Sequence, residues 1–155
     1  MRDDVFPGAG KFRGGQGVVK AQRFLTPGFV THEADRHEDA PWGIFGGLAG
    51  AGGKVEIHNV ARPQEVSAQY AKFSGLRVEP GDVVTYYSPV GGGYGDPLER
   101  DPAKVLDDVL DDFISVKHAE EVYGVVFDVV DDGYGYAVNG AGTSARRAAI
   151  RAARG

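Results

Sequence analysis

The sequence predicts an α+β fold in a single domain over residues 1–155. Its body is mainly antiparallel β with glycine-rich loops, joined by two short helices at 102–113 and 116–123 and a short Arg-rich C-terminal helix. Three observations carry this expectation. Glycine is 24 of 155 residues, about twice the ordinary share, and it gathers at 8–17, 43–53, 91–95 and 133–142. Ordered glycine marks sharp turns or close backbone approach. Alternating or β-branched runs separate these clusters, and helical periodicity is confined to the last third of the chain.

Residues 1–15 read as loop, punctuated by Pro7-Gly8-Ala9-Gly10 and Gly14-Gly15. Gly17 to Leu25 has strand composition with imperfect alternation. Thr26-Pro27-Gly28 is a turn signal, and Phe29 to Glu33 reads as a returning strand, so 17–33 is expected to be a hairpin. Residues 34–53 read as loop and hold the one tryptophan, in Pro41-Trp42-Gly43-Ile44-Phe45-Gly46-Gly47. Lys54 to His58 alternates as a strand. Pro80-Gly81-Asp82 is a turn before the strand Val83 to Tyr87, and 91–95 is another glycine loop.

Asp101 can cap a helix that begins with Pro102. In it, Val105, Leu106, Val109, Leu110 and Phe113 share a face, while Asp107, Asp108, Asp111 and Asp112 are expected on the solvated remainder. Ser115 can cap a second helix that carries Ala119, Val122 and Tyr123 inward and stops at Gly124. Val125 to Val130 and Tyr134 to Val138 pair across an Asp131-Asp132-Gly133 turn, with Asn139-Gly140 ending the second strand. In the tail, 144–155, Arg147, Arg151 and Arg154 fall on one helical face. So short a helix is marginal alone, so it frays or docks.

Formal net charge is -5, from 17 Lys and Arg against 22 Asp and Glu. That balance lacks the positive field of a nucleic-acid binder. Charge is segregated: residues 96–132 hold 12 acids and 3 bases, and the remainder 10 acids and 14 bases, a polarity suited to orienting a partner. The chain has no cysteine, which removes disulfides, thiolate zinc sites and cysteine nucleophiles. No apolar run reaches the roughly 20 residues of a membrane span, and Met1-Arg2-Asp3-Asp4 is no secretory signal. A cytoplasmic location is expected, with neither nucleic acid nor membrane as partner.

Tests for chemistry give little. Gly8-Ala9-Gly10-Lys11 lacks the earlier glycine and the following Ser or Thr of a P-loop, since Val5 and Phe12 stand there. His32-Glu33-Ala34-Asp35-Arg36-His37-Glu38-Asp39 is rich in ligand types but matches no metal spacing, and a polar strand end running into a solvated loop explains it. No serine has a nucleophile-elbow context. His58 and His118 are isolated, the latter read as an exposed helix residue, and the carboxylate pairs read as solvated helix faces or turn chemistry. No catalytic residue and no metal ligand is therefore expected on this chain.

Several strings, in order, resemble the C-terminal part of the hydantoinase B family, the subunit type of N-methylhydantoinases, 5-oxoprolinases and acetone or acetophenone carboxylases. They are Gly8-Ala9-Gly10-Lys11-Phe12-Arg13-Gly14-Gly15-x-Gly17, Asp35-Arg36, Pro41-Trp42-Gly43-Ile44-Phe45-Gly46-Gly47 and Pro80-Gly81-Asp82. They continue with Gly91-Gly92-Gly93-Tyr94-Gly95-Asp96-Pro97-Leu98-Glu99-Arg100-Asp101-Pro102, Val105-Leu106-Asp107-Asp108-Val109 and Tyr123-Gly124-Val125-Val126. The resemblance implies a subunit of an ATP-dependent carboxylase or cyclic-amide hydrolase, with phosphorylation activating the substrate. ATP and Mg²⁺ are expected on partner subunits, with none bound by this chain.

The family's subunits are several times longer, and their known metal ligands lie in the portion absent here. The resemblance thus implies a small subunit completing a split hydantoinase B unit, inactive alone, with hydantoinase A type and N-terminal hydantoinase B type partners. A stand-alone ligand- or protein-binding domain is the alternative. The loops carrying Lys11, Phe12, Arg13, Trp42, Gly93, Tyr94, Gly95 and Asp96 are expected either to face a partner or the substrate chamber, or to be turns packed on the chain's own core.

Overall fold

The computed structural model describes residues 5–61, 66–69, 71–130, 133 and 135–155. Its strands are β1 (Val19–Arg23), β2 (Gly28–Glu33), β3 (Lys54–His58), β4 (Val66–Gln69), β5 (Lys72–Val78), β6 (Val83–Tyr87), β7 (Phe127–Val130) and β8 (Gly135–Val138). The helices are α1 (Pro102–Leu110), α2 (Val116–Val122) and α3 (Gly140–Arg154), with a 3₁₀ turn at Pro97–Glu99. These strands pair antiparallel throughout: a four-stranded sheet in the order β1-β6-β3-β4, a ribbon β2-β5 and a ribbon β7-β8.

The expected hairpin at 17–33 does not form. β1 pairs with β6, from Val19↔Tyr87 to Arg23↔Val83, while β2 pairs with β5. Thr26-Pro27-Gly28 instead carries the chain from one sheet to the other. β1 finds its partner more than sixty residues away for most of its length and β2 some forty to fifty residues away, a choice that local turn chemistry does not encode. β4 and β5 also lie where the sequence offered no expected strand. The Asp131-Asp132 part of the expected β-turn lies outside the described residues.

Two cores result. The first, between the four-stranded sheet and the β2-β5 ribbon, holds Val30, Val55, Ile57, Val78 and Val84, with Phe24, Phe73, Leu76 and Tyr86 packed around them. The second joins Ala9 of the N-terminal loop to Val105, Val109, Ile114, Ala119, Tyr123 and Val125. Asp82 is the buried polar organiser of the first. Its carboxylate accepts from Val60 N at 2.8 Å and Glu79 N at 2.9 Å. That closes the turn at Gly81, whose φ of +95° suits glycine.

α1 starts at Pro102 on its Asp101 cap but stops at Leu110, three residues short of the expected end. Asp112 takes a left-handed φ of 57°, which Asp tolerates better than most residues. The expected faces also need correcting. Asp108 is buried, whereas Leu110 is 55% exposed, because the inward position is taken by an ion-pair network. α2 is capped by Ser115, whose hydroxyl accepts from His118 N at 3.1 Å. The chain leaves it through Gly124 at φ +62°. His118 is not exposed: its ring packs 4.4 Å from Phe6 and 6.0 Å from Tyr123, and burial lowers its pKa. α3 begins earlier than expected, on an Asn139 cap that accepts from Gly142 N at 2.8 Å.

Of the two fates open to the tail, it docks. Arg147 donates to Tyr123 O at 3.0 Å and Arg100 O at 2.7 Å, and Arg154 to Asp96 Oδ1 at 3.0 Å. Part of this arginine face thus supplies donors to the carbonyl at the end of α2, which the helix itself leaves unpaired.

Candidate functional site: a glycine lamina with an aromatic face

Three glycine-rich segments, 8–15, 41–51 and 90–95, lie against one another. Backbone bonds stitch them together: Gly8 N to Gly91 O at 2.9 Å, Leu48 N to Ala9 O at 2.7 Å, and Gly93 N to Leu48 O at 2.9 Å. Phe12 and Tyr94 exchange N–H···O bonds at 3.0 and 2.9 Å, and Gly95 N donates to Ile44 O at 2.9 Å. The absence of side chains is what permits this approach. A Cβ on Gly93 would sit 2.0 Å from Ala9 O, one on Gly47 2.2 Å from Gly93 O, and one on Gly14 1.9 Å from Gly91 O. The N–H groups of 93–95 therefore bond within the lamina, and the glycine loops are packed backbone.

A buried ion-pair network fastens the lamina to the helical core. Arg13 Nε donates to Asp108 Oδ1 at 2.7 Å, and Arg100 approaches Asp108 Oδ2 through Nε at 3.1 Å and Nη2 at 2.9 Å. Arg100 Nη1 reaches back to Lys11 O at 3.3 Å, and the Arg13 guanidinium lies 4.4 Å from the Phe113 ring centroid. One buried carboxylate thus meets two cations, Arg100 largely buried and Arg13 partly so, the arrangement in which a buried charge is tolerable.

The residues singled out in the sequence separate into four uses. Gly93 and Gly95 build the lamina. Arg13 and Asp96 are structural: Asp96 accepts from Leu98 N at 2.9 Å and pairs with Arg154. Burial alone raises the Asp96 pKa, but the Leu98 N–H and the Arg154 and Arg151 guanidiniums outweigh it and hold the carboxyl below its usual value. Lys11 pairs at the surface with Glu99 at 3.2 Å. Phe12 (57% exposed), Tyr94 (49%) and Trp42 (62%) point outward, Trp42 under the Arg36 guanidinium at 4.1 Å.

Sequence reasoning missed Ile44 and Phe45, which complete this face. Ile44 bridges Tyr94, Phe12 stands 6.2 Å from the Tyr94 ring, and Phe45, 77% exposed, meets it edge-on at 5.3 Å. The available signal was the pair of bulky apolar residues set between glycines in Gly43-Ile44-Phe45-Gly46-Gly47. Four apolar side chains from three distant segments thus form one exposed ridge, of the kind that marks an interaction site.

Elsewhere, His32 and His37 come together with ring centroids 6.0 Å apart, beside Tyr86 and Phe73, at the mouth of the first core. Burial, followed by the neighbouring His32, lowers the His37 pKa. Among the described residues, no group of three His, Cys, Asp or Glu is placed to hold a metal ion. Among them, no helix is long and apolar enough to cross a membrane.

Comparison with known proteins places this architecture. Residues 1–97, which include the whole lamina, match the family described as Hydantoinase B/oxoprolinase. The chain is 40% identical over 116 residues to the B-type component of a putative D-/L-hydantoinase from Pseudomonas sp. (strain NS671), covering 75% of this chain and 19% of that protein. Its fold is similar to the nucleotide-free structure of acetone carboxylase, with a TM-score of 0.71 and 26% identity over 96% of this chain and 24% of that one. It is also similar to the ATP-dependent caprolactamase from Pseudomonas jessenii, with a TM-score of 0.66 and 29% identity over 94% of this chain and 25% of that one. The chain spans about a fifth to a quarter of the length of these relatives. The chain belongs to the Hydantoinase B/oxoprolinase family.

Proposed function

We propose that this chain is a small, non-catalytic subunit that completes a split hydantoinase B type unit within an ATP-dependent enzyme complex. The observation that carries the reading is the exposed aromatic ridge, where a larger body can rest. In its relatives the matching region is about a fifth to a quarter of the protein. Its partners in this reading are an N-terminal hydantoinase B type chain and a hydantoinase A type chain. ATP and Mg²⁺ sit on those partners, where the metal neutralises phosphate charge during transfer.

The finer reading is ATP-dependent carboxylation of a ketone such as acetophenone, supported by the similarity to acetone carboxylase. A second reading, ATP-dependent opening of a cyclic amide, draws on the hydantoinase and caprolactamase relatives. Affinity purification from the native host, followed by ATPase assay of the recovered complex, tests both. Large hydantoinase-type partners with bicarbonate-dependent, ketone-stimulated ATP turnover are expected. Stimulation by a cyclic amide without bicarbonate moves the assignment to the hydrolases. A monomer recovered without partners overturns the subunit reading in favour of a stand-alone binding domain.

A further inference from the structure

The ridge contains a residue in a conformation its side chain does not favour. Gly47 N–H donates to Ile44 O at 3.0 Å, and both residues between them have positive φ, 52° at Phe45 and 91° at Gly46. This is a type I′ geometry, whose central positions favour Asn, Asp and Gly. A bulky L-residue there is an outlier, and such strain collects at functional sites. Here the turn does not tuck the ring into the core but leaves it 77% exposed at the tip, edge-on to Tyr94. The base of the turn is rigid: Ile44 N and Gly95 N bond across it to Gly93 O and Ile44 O, both at 2.9 Å. A large aromatic held on a stiff base loses little freedom on docking. Around it, the Lys11–Glu99 and Arg154–Asp96 pairs supply charged groups, as interface rims do.

We propose that Phe45 is the anchor through which this face docks into an apolar pocket of the larger hydantoinase B type chain. The inference rests on the reading under Proposed function and specifies its contact. In both solved relatives the region matched by this chain is about a quarter of a longer chain, which points to the remainder of such a chain as the occupant. That remainder is large enough to cover Phe12, Ile44, Phe45 and Tyr94 together.

The test is binding of the purified chain to the larger hydantoinase B type chain encoded in its host, measured by titration calorimetry beside thermal melts of the chain. Phe45→Ala and Phe45→Gly are compared with Phe29→Ala, which removes an equally exposed ring (73%) from the β2-β5 ribbon. Both Phe45 variants are expected to weaken binding at least about thirtyfold, the scale of a hot spot. Phe29→Ala is expected to bind as wild type. Phe45→Gly relieves the left-handed strain, so its Tm stays or rises; a merely structural role would lower Tm and affinity together. Wild-type affinity in Phe45→Gly, equal loss in Phe29→Ala, or self-association of the chain abolished by Phe45→Ala each overturns the anchor. If the wild-type chain does not bind the larger chain at all, the subunit reading falls with it. If it binds and the Phe45 variants bind equally, only the anchor falls.

Discussion

Replacing Asp108 with Asn is the sharpest probe of how this fold is held together. The carboxylate is 4% exposed and meets Arg13 at 2.7 Å and Arg100 at 2.9 Å. The change keeps its shape and removes its charge, leaving two guanidiniums facing a neutral amide. Removing one partner of a buried pair typically costs about 3–5 kcal/mol. The Arg13 side chain, 20% exposed, can recover some hydration, but that of Arg100, at 9%, is held in by the lamina and α1. We therefore expect a loss of about 3–4 kcal/mol, the lower part of that range. Against a total stability of about 5–15 kcal/mol, that is a large fraction. Urea unfolding followed by circular dichroism measures it, with Asp107→Asn as control. Asp107 is the exposed neighbour, and its loss should stay within about 0.5 kcal/mol. A loss under about 1 kcal/mol for Asp108→Asn, or equal losses at both positions, refutes the view that a buried network joins lamina to helices.

Three further outcomes are expected. Gly93→Ala drives a methyl to within 2.0 Å of Ala9 O and should leave little folded protein in expression trials, whereas Gly15→Ala meets open space and should melt as wild type. Tyr123 is fully buried, and burial above all pushes its pKa up to about 12. The folded state thus holds this proton more tightly than the unfolded chain does. Stability should be intact below about pH 10 and fall as pH rises toward about 12, with an ultraviolet tyrosinate titration that loses its last step in Tyr123→Phe. Arg147→Ala strips donors from Tyr123 O and Arg100 O at about 1–3 kcal/mol, and limited proteolysis should then clip α3 first.

Legibility in the sequence followed the range of the interaction. Elements set by neighbours were readable: Asp101 and Ser115 cap α1 and α2, Gly124 ends α2, and the alternation of Lys54–His58 gives β3. Elements set by distant partners were not. Nothing in residues 17–33 says that β1 belongs to β6 and β2 to β5. Asp108 looked like every other aspartate on α1, because its burial is decided by Arg13, ninety-five residues upstream. The candidate face was half legible. Phe12, Trp42 and Tyr94 stood out as aromatics among glycines, but the strained placement of Phe45 depends on a backbone angle that Gly46-Gly47 only hints at.

The lamina divides labour between two kinds of atom. Its shape is set by main-chain groups that touch main-chain groups, so Phe12, Ile44 and Tyr94 contribute their amides to the scaffold and their side chains to the outside. Exchanging those side chains leaves the interlocking backbone where it is, while exchanging the glycines beneath them removes it. Such a surface can be rewritten for a different neighbour without redesigning the platform that displays it.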